Sequence, residues 1–107
     1  METIKDLDSL YEILSQGGIV IVEAGSGTCN PCAAIKERLS LWLRDHKEIK
    51  GFYVPIEEFP EIGAKEGIFS APAVLVYVNG KAAIRESGYF SLDALLEKTL
   101  RYENFLK

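Results

Sequence analysis

Apolar residues recur along the chain with two different periods, which predict helices alternating with strands. From about Asp6 to Gln16 they recur every three or four positions, as on one face of a helix, and Gly17-Gly18 ends that segment. The next segment, Ile19 to Glu23, begins with an unbroken apolar run and predicts a strand covered on both faces. A weaker signal from Thr3 to Lys5 predicts a short strand before the first helix.

The remaining elements follow in the same alternating order. They are predicted as a helix after Cys32 to about His46, a strand from Phe52 to Ile56, a short helix near Pro60 to Glu66, two strands from Ala73 to Val78 and from Lys81 to Glu86, and a last helix from about Ser91. Asn79-Gly80 predicts a two-residue hairpin turn between the two strands, because both positions tolerate a positive φ. This order predicts the α/β class, with a mixed central sheet flanked by helices.

Composition and charge narrow the classes of function. With 48% apolar and 26% charged residues, the chain is expected to fold as one globular domain over residues 1–107. A formal net charge of −4, without a basic patch, argues against binding to nucleic acid. No apolar stretch is long enough for a transmembrane helix, and the first residues lack the basic and apolar parts of a signal peptide. We therefore expect a cytoplasmic protein.

The only two cysteines, Cys29 and Cys32, lie between the predicted strand and the helix that follows it. Two thiols at this spacing can form and break a disulfide, and a C-x-x-C pair at such a junction indicates redox chemistry. If the helix begins at or just after Cys29, its free N–H groups and its dipole favour the thiolate there. Pro31 fits the first helical turn, where its missing donor costs nothing. Cys29 is then the exposed nucleophile, and the more buried Cys32 resolves the mixed disulfide.

Glu23 stands at the end of the apolar strand, six positions before Cys29. If its carboxyl group is buried under the cysteines, its pKa is raised and it can relay protons to or from Cys32. The sequence fits equally well a strand that has already reached solvent at Glu23. A zinc site within one chain is not expected, because the only histidine, His46, lies near the far end of the next helix.

These residues resemble the thioredoxin family over nearly the whole length of the chain. The resemblance rests on the early helix, the strand that ends in an acid, the C-x-x-C motif with proline in its third position, the segment from Lys65 to Pro72, the Asn79-Gly80 hairpin, Gly88 and the terminal helix. It implies a thioredoxin-like fold, with Cys29 as the attacking cysteine and Cys32 as the resolving one.

The resemblance also implies roles for residues outside the motif. Pro72 matches the proline that is cis in the family and packs beside the disulfide, and the backbone of Ala71 would pair with an incoming substrate peptide. Gly88 matches a glycine on the rim that faces the substrate. Glu23 matches the buried acid of the family, which is usually an aspartate.

The chain also departs from the family pattern around the motif. Thr28, which we place in the substrate-binding rim, stands where the family usually has Trp, and Gly25 replaces a second aromatic residue. Asn30 replaces the usual Gly of the motif. Tyr53 falls where a Lys often neighbours the buried acid, so we expect Glu23 to lack a cationic partner. Without one, its pKa should rise further if it is buried.

The sequence therefore predicts a thiol–disulfide oxidoreductase that reduces protein disulfides through the motif Cys29-Asn30-Pro31-Cys32. The Cys29–Cys32 disulfide is the only cofactor implied, and no metal is. The expected partners are disulfide-containing proteins and a dithiol donor, such as a reductase of thioredoxins, but neither nucleic acid nor a membrane; the chain is expected to be a monomer. Two alternatives stay open: a redox-inactive module that binds peptides or supports assembly, and a dimer that shares a metal or iron–sulfur cluster through four thiolates.

Overall fold

The computed structural model describes residues 1–106, and the elements predicted from the sequence form in the predicted order. In chain order they are β1 (Glu2–Thr3), α1 (Leu7–Ser15), β2 (Ile19–Gly25), α2 (Asn30–Arg44), β3 (Lys50–Pro55), α3 (Pro60–Glu66), β4 (Ala73–Val78), β5 (Lys81–Ser87) and α4 (Leu92–Leu106). Within residues 1–106 no helix is both long and apolar enough to cross a membrane.

The five strands form one mixed sheet with the order β1-β3-β2-β4-β5. Strands β1, β3 and β2 run parallel to one another. Strand β4 is antiparallel to β2, and β5 is antiparallel to β4. Every residue of the central strand β2 is buried, as its continuous apolar run predicts. The predicted mixed sheet flanked by helices is therefore confirmed.

Successive residues of β2 point to opposite faces of the sheet, and each face has its own apolar core. Val20 and Val22 pack into a core with residues of α1 and α3, such as Leu10 and Ile62. Ile19 and Ile21 point to the other face and pack into a second core with residues of α2 and α4, such as Leu39. Helices thus cover the sheet on both sides, and β2 lies in the middle of both cores.

Local sequence signals set the ends of several elements. The Ser91 hydroxyl oxygen accepts a hydrogen bond of 3.1 Å from the backbone N–H of Ala94, so Ser91 caps the last helix close to its predicted start. Gly67 ends α3 in the left-handed conformation. Asn79 and Gly80 have φ values of 50° and 87°, as the predicted hairpin turn requires.

Some predicted boundaries are displaced, for reasons that lie in pairing between distant segments. β2 continues two residues beyond Glu23, because Ala24 and Gly25 still pair with the parallel strand β3. The helix after the motif begins at Asn30 rather than after Cys32, with Pro31 in its first turn. At its other end α2 stops at Arg44, before the predicted His46.

Candidate active site

Strand pairing brings three separate segments of the chain to one end of the sheet. Ala24, near the end of β2, pairs with Ala73 at the start of β4, and Ala73 pairs with Ser87 at the end of β5. The loop that carries the cysteines, the segment before β4 and the turn after β5 are therefore neighbours. The backbone N–H of Gly88 also donates a hydrogen bond of 3.0 Å to the carbonyl oxygen of Pro72.

Cys29 and Cys32 are joined in a disulfide at the N-terminus of α2, with their Cα atoms 5.5 Å apart. Cys29 is the N-cap of the helix and is half-buried, whereas Cys32 lies one turn further in and is only 3% exposed. Asn30 and Pro31 between them are exposed. The first helical turn and its dipole therefore meet the more accessible sulfur, where they favour a thiolate once the disulfide is reduced.

The loop before Cys29 is held by an acidic residue that the sequence analysis missed. The backbone N–H of Gly27 donates a hydrogen bond of 2.6 Å to a carboxylate oxygen of Glu57, 30 residues further along the chain. Within the loop, the hydroxyl oxygens of Ser26 and Thr28 are 3.3 Å apart. Thr28 itself is exposed. The acidic run that contains Glu57 was visible in the sequence, but nothing there indicated which N–H group it would meet.

Glu23 is completely buried, which decides between the two readings that the sequence left open. Neither of its carboxylate oxygens has a hydrogen-bond partner among the described residues. Burial raises the pKa of Glu23 to about 8, and the positive charge of Lys36 acts in the opposite direction. At neutral pH this side chain is therefore mostly a neutral acid when the disulfide is intact.

Among the described residues no cation is hydrogen-bonded to Glu23, but a positive charge on α2 acts on its carboxyl from further away. Tyr53 does replace the lysine expected on β3, but Lys36 of α2 supplies a positive charge that favours the ionised carboxyl. Its ammonium nitrogen lies 4.3 Å from the centre of the Tyr53 ring. The sequence alone does not single out Lys36, which is a charged residue of a helix, yet in the structure it is half-buried.

The remaining predicted site residues lie in the two segments next to the cysteine loop. Pro72 is buried and follows a cis peptide bond, as the resemblance implied, and Ala71 before it is half-buried. Gly88 is exposed, with a φ of 70° that glycine adopts without strain. Two large aromatic side chains are exposed in the same segments: Phe69 at 84% and Tyr89 at 107%.

Gly25 stands where the resemblance to thioredoxins would place an aromatic residue, and Tyr53 of β3 fills the space beside it. A Cβ atom on Gly25 would overlap the hydroxyl oxygen and the ring of Tyr53. The loss of one aromatic side chain on β2 is thus accompanied by the gain of another on the neighbouring strand.

We therefore expect the Gly25→Ala substitution to destabilise the protein by about 1–3 kcal/mol, because the half-buried ring of Tyr53 has to move. Gly27→Ala is the matched control in the same loop, since a Cβ there would meet only ordinary contacts with Glu57. Urea unfolding of the oxidised protein measures both. Equal midpoints for the two variants would contradict the close packing of Gly25 against Tyr53.

Among residues 1–106 no three histidine, cysteine, aspartate or glutamate side chains are placed to hold a metal ion. The redox group of the site is the disulfide of the chain itself.

The amino-acid sequence of the chain is similar to those of known thioredoxins. Thioredoxin 1 of Plasmodium falciparum is 31% identical over 88 residues, which cover 80% of this chain and 85% of the relative. The thioredoxin of Bacillus subtilis is 26% identical over 100 residues, covering 91% of this chain and 94% of the relative. None of the known protein-family models matches the chain.

The fold of the chain is also similar to those of solved thioredoxin structures. The structure of Fasciola hepatica thioredoxin superposes with a TM-score of 0.86 at 21% identity, covering 94% of this chain and 98% of that one. The solution structure of oxidised thioredoxin from Plasmodium falciparum gives 0.83 at 27% identity, covering 92% and 97%. These structures share the fold described above.

Proposed function

Because the chain belongs to the thioredoxin family and carries the Cys29–Cys32 disulfide, it is a thiol–disulfide oxidoreductase, and we propose that it acts as a reductase of protein disulfides. The observation that carries the proposal is the pair of cysteines at the N-terminus of α2, one accessible and one buried. This asymmetry suits a reaction in which the two sulfurs act one after the other.

The first step is an attack by the Cys29 thiolate on a sulfur of the substrate disulfide. A sulfur–sulfur bond forms between Cys29 and the substrate, the substrate's own disulfide breaks, and its other sulfur leaves as a thiolate that takes up a proton from water. The dipole of α2 stabilises the attacking thiolate. Substrate and protein are then linked by a mixed disulfide.

The second step releases the substrate and needs a base for Cys32. The ionised carboxylate of Glu23 accepts the Cys32 proton, and the resulting thiolate attacks the sulfur of Cys29. The Cys29–Cys32 bond forms, the mixed disulfide breaks, and the second substrate sulfur leaves as a thiolate. The substrate has gained two electrons, and the protein has lost them.

Binding of the substrate chain is assigned to the segments around the cysteines. The backbone of Ala71 pairs with an extended substrate peptide, while Thr28, Pro72 and Gly88 form the surface beneath it. The short distance between the Gly88 and Pro72 segments supports a common surface. Tyr89 follows Gly88 and adds an exposed aromatic side chain to its edge.

The proposed partners follow from this chemistry. The substrates are proteins with accessible disulfides, and a dithiol donor, such as a reductase of thioredoxins, returns the protein to its reduced form. We propose that the chain works as a monomer in the cytoplasm, where reduction of disulfides is favoured over their formation. Size-exclusion chromatography and cell fractionation test these two points.

The two alternative functions are not favoured. The thioredoxin relatives and the bond between the two cysteines fit exchange chemistry better than a redox-inactive peptide-binding module. They also fit it better than a dimer that shares a metal or iron–sulfur cluster.

The Cys32→Ser variant tests the proposal directly. It retains the first step and lacks the second, so we expect it to accumulate a mixed disulfide between Cys29 and the substrate. Reduced variant is mixed with insulin as the probe, and the product is measured by non-reducing electrophoresis and mass spectrometry. The expected mass is that of the variant plus one whole insulin molecule, because the two insulin chains remain joined by their second interchain disulfide.

The double variant Cys29→Ser/Cys32→Ser is the matched control and should form no adduct. A Cys32→Ser variant that leaves the insulin disulfides intact and forms no adduct would refute the reductase proposal.

A further inference from the structure

Glu23 lies between β3 and β4 in the middle of the sheet, on the face that α2 covers. Its neighbours along β2, Val22 and Ala24, point into the core on the opposite face, so the Glu23 side chain points towards α2. In β3, Val54 likewise points into the opposite core, which puts the preceding Tyr53 on the same face as Glu23.

Tyr53 is the direct neighbour of Glu23 across the parallel pair of strands. The ammonium group of Lys36 lies over the Tyr53 ring, 4.3 Å from its centre, in a cation–π arrangement. Lys36 is also four residues after Cys32, so the two side chains lie on one face of α2. The lysine, the tyrosine, the buried acid and the resolving cysteine thus occupy one side of the sheet.

Other groups around Glu23 do not supply a positive charge. On its β4 side the paired residue is Val74, which is apolar and buried. On its β3 side it meets Tyr53, whose own pKa is raised by burial and by the negative charges of Glu23, Glu57 and Glu58. From α2 the positive charge of Lys36 acts on it. The ammonium group of Lys36 is therefore the cation placed to act on the buried carboxyl.

We propose that Lys36 is a positioning residue of the exchange reaction, which stabilises the ionised form of Glu23 while the Tyr53 ring holds its ammonium group over the site. The proposal rests on the proposed function, because Lys36 acts on the reaction through the role of Glu23 as the base for Cys32. In this chain the cation near the buried acid therefore lies on α2, whereas the family often has it on β3.

A reason for the arrangement lies in the chemistry of the second step. Without the charge of Lys36 the pKa of Glu23 would be higher still, and an even smaller fraction of molecules would hold the carboxylate that accepts the Cys32 proton. A half-buried ammonium group is screened by water less than an exposed one, so its effect on Glu23 is larger. Lys36 therefore increases the fraction of molecules in which Glu23 is ready to act as a base.

The experiment has two readouts, and the first does not involve catalysis. The side-chain carboxyl of Glu23 is titrated by carbon NMR in the oxidised protein between about pH 5 and pH 10. In Lys36→Met we expect its midpoint to rise by on the order of one pH unit, whereas Lys36→Arg should keep it near the wild-type value. Lys81→Met is the matched control, because Lys81 lies by the hairpin at the opposite end of the sheet.

The second readout is the pH dependence of insulin reduction, which we expect to shift to higher pH in Lys36→Met and to be restored in Lys36→Arg. A Glu23 midpoint that stays unchanged in Lys36→Met, or moves equally in Lys81→Met, overturns the inference. A midpoint that moves while the pH dependence of the rate does not supports the electrostatic link but overturns the role of Glu23 as the base. The two failures are therefore distinguishable.

Discussion

Replacing Cys29 with serine is expected to lower the rate of insulin reduction by about three orders of magnitude or more. A serine hydroxyl is not ionised at neutral pH and cannot form the mixed disulfide, so the first step is lost. Cys29 is the N-cap of α2 and its side chain makes no capping hydrogen bond, so the helix does not depend on the sulfur. The loss of activity should therefore occur in a folded protein.

The measurement compares wild type, Cys29→Ser and Cys32→Ser with dithiothreitol as the electron donor, and circular dichroism checks the fold. Cys32→Ser should also lose turnover. When it is reduced beforehand and mixed with insulin without dithiothreitol, it should release one substrate thiol for each molecule of variant, which Cys29→Ser should not. A Cys29→Ser variant that still forms adducts through Cys32 would reverse the assignment of the two cysteines. The exposures of the two residues, one half-buried and the other 3% exposed, argue against that outcome.

The parts of the site that could be predicted from sequence are those encoded by neighbouring residues. Cys29, Pro31 and Cys32 stand next to one another in the chain, so their positions at a helix N-terminus follow from local rules. The hairpin at Asn79-Gly80 and the Ser91 cap are local in the same sense, and all three features formed as predicted.

The parts that could not be predicted depend on contacts between distant segments. The carboxylate of Glu57 meets the N–H of Gly27 across 30 residues, and no short pattern specifies such a pair. The burial of Glu23 was undecided because it depends on how far β3 and β4, which come from distant parts of the chain, extend along β2. The place of Lys36 could not be predicted, because a lysine on a helix is usually exposed to solvent, although its long side chain can also cover apolar surface.

The burial of Glu23 also has a consequence for stability. Its pKa is about 8 in the oxidised protein and near 4.5 in an unfolded chain. Between these two values the folded protein holds a proton that the unfolded chain has released, so stability falls as the pH rises. Below about 4.5 both states are protonated and above about 8 both are ionised, so Glu23 adds no further slope there.

We expect the free energy of unfolding of the oxidised wild type to decrease, through Glu23 alone, by up to about 1.4 kcal/mol for each pH unit inside this window. Glu23→Gln keeps the size of the side chain without its titration, so its stability should vary less steeply and exceed that of the wild type most at about pH 8. Urea unfolding without reductant, repeated across the window, gives the two curves. Glu12→Gln, at an exposed position on α1, is the control and should follow the wild type. Parallel curves for the wild type and Glu23→Gln would mean that the carboxyl at this position is already ionised at neutral pH, and that water or a cation compensates its charge far better than the buried, unpaired oxygens indicate.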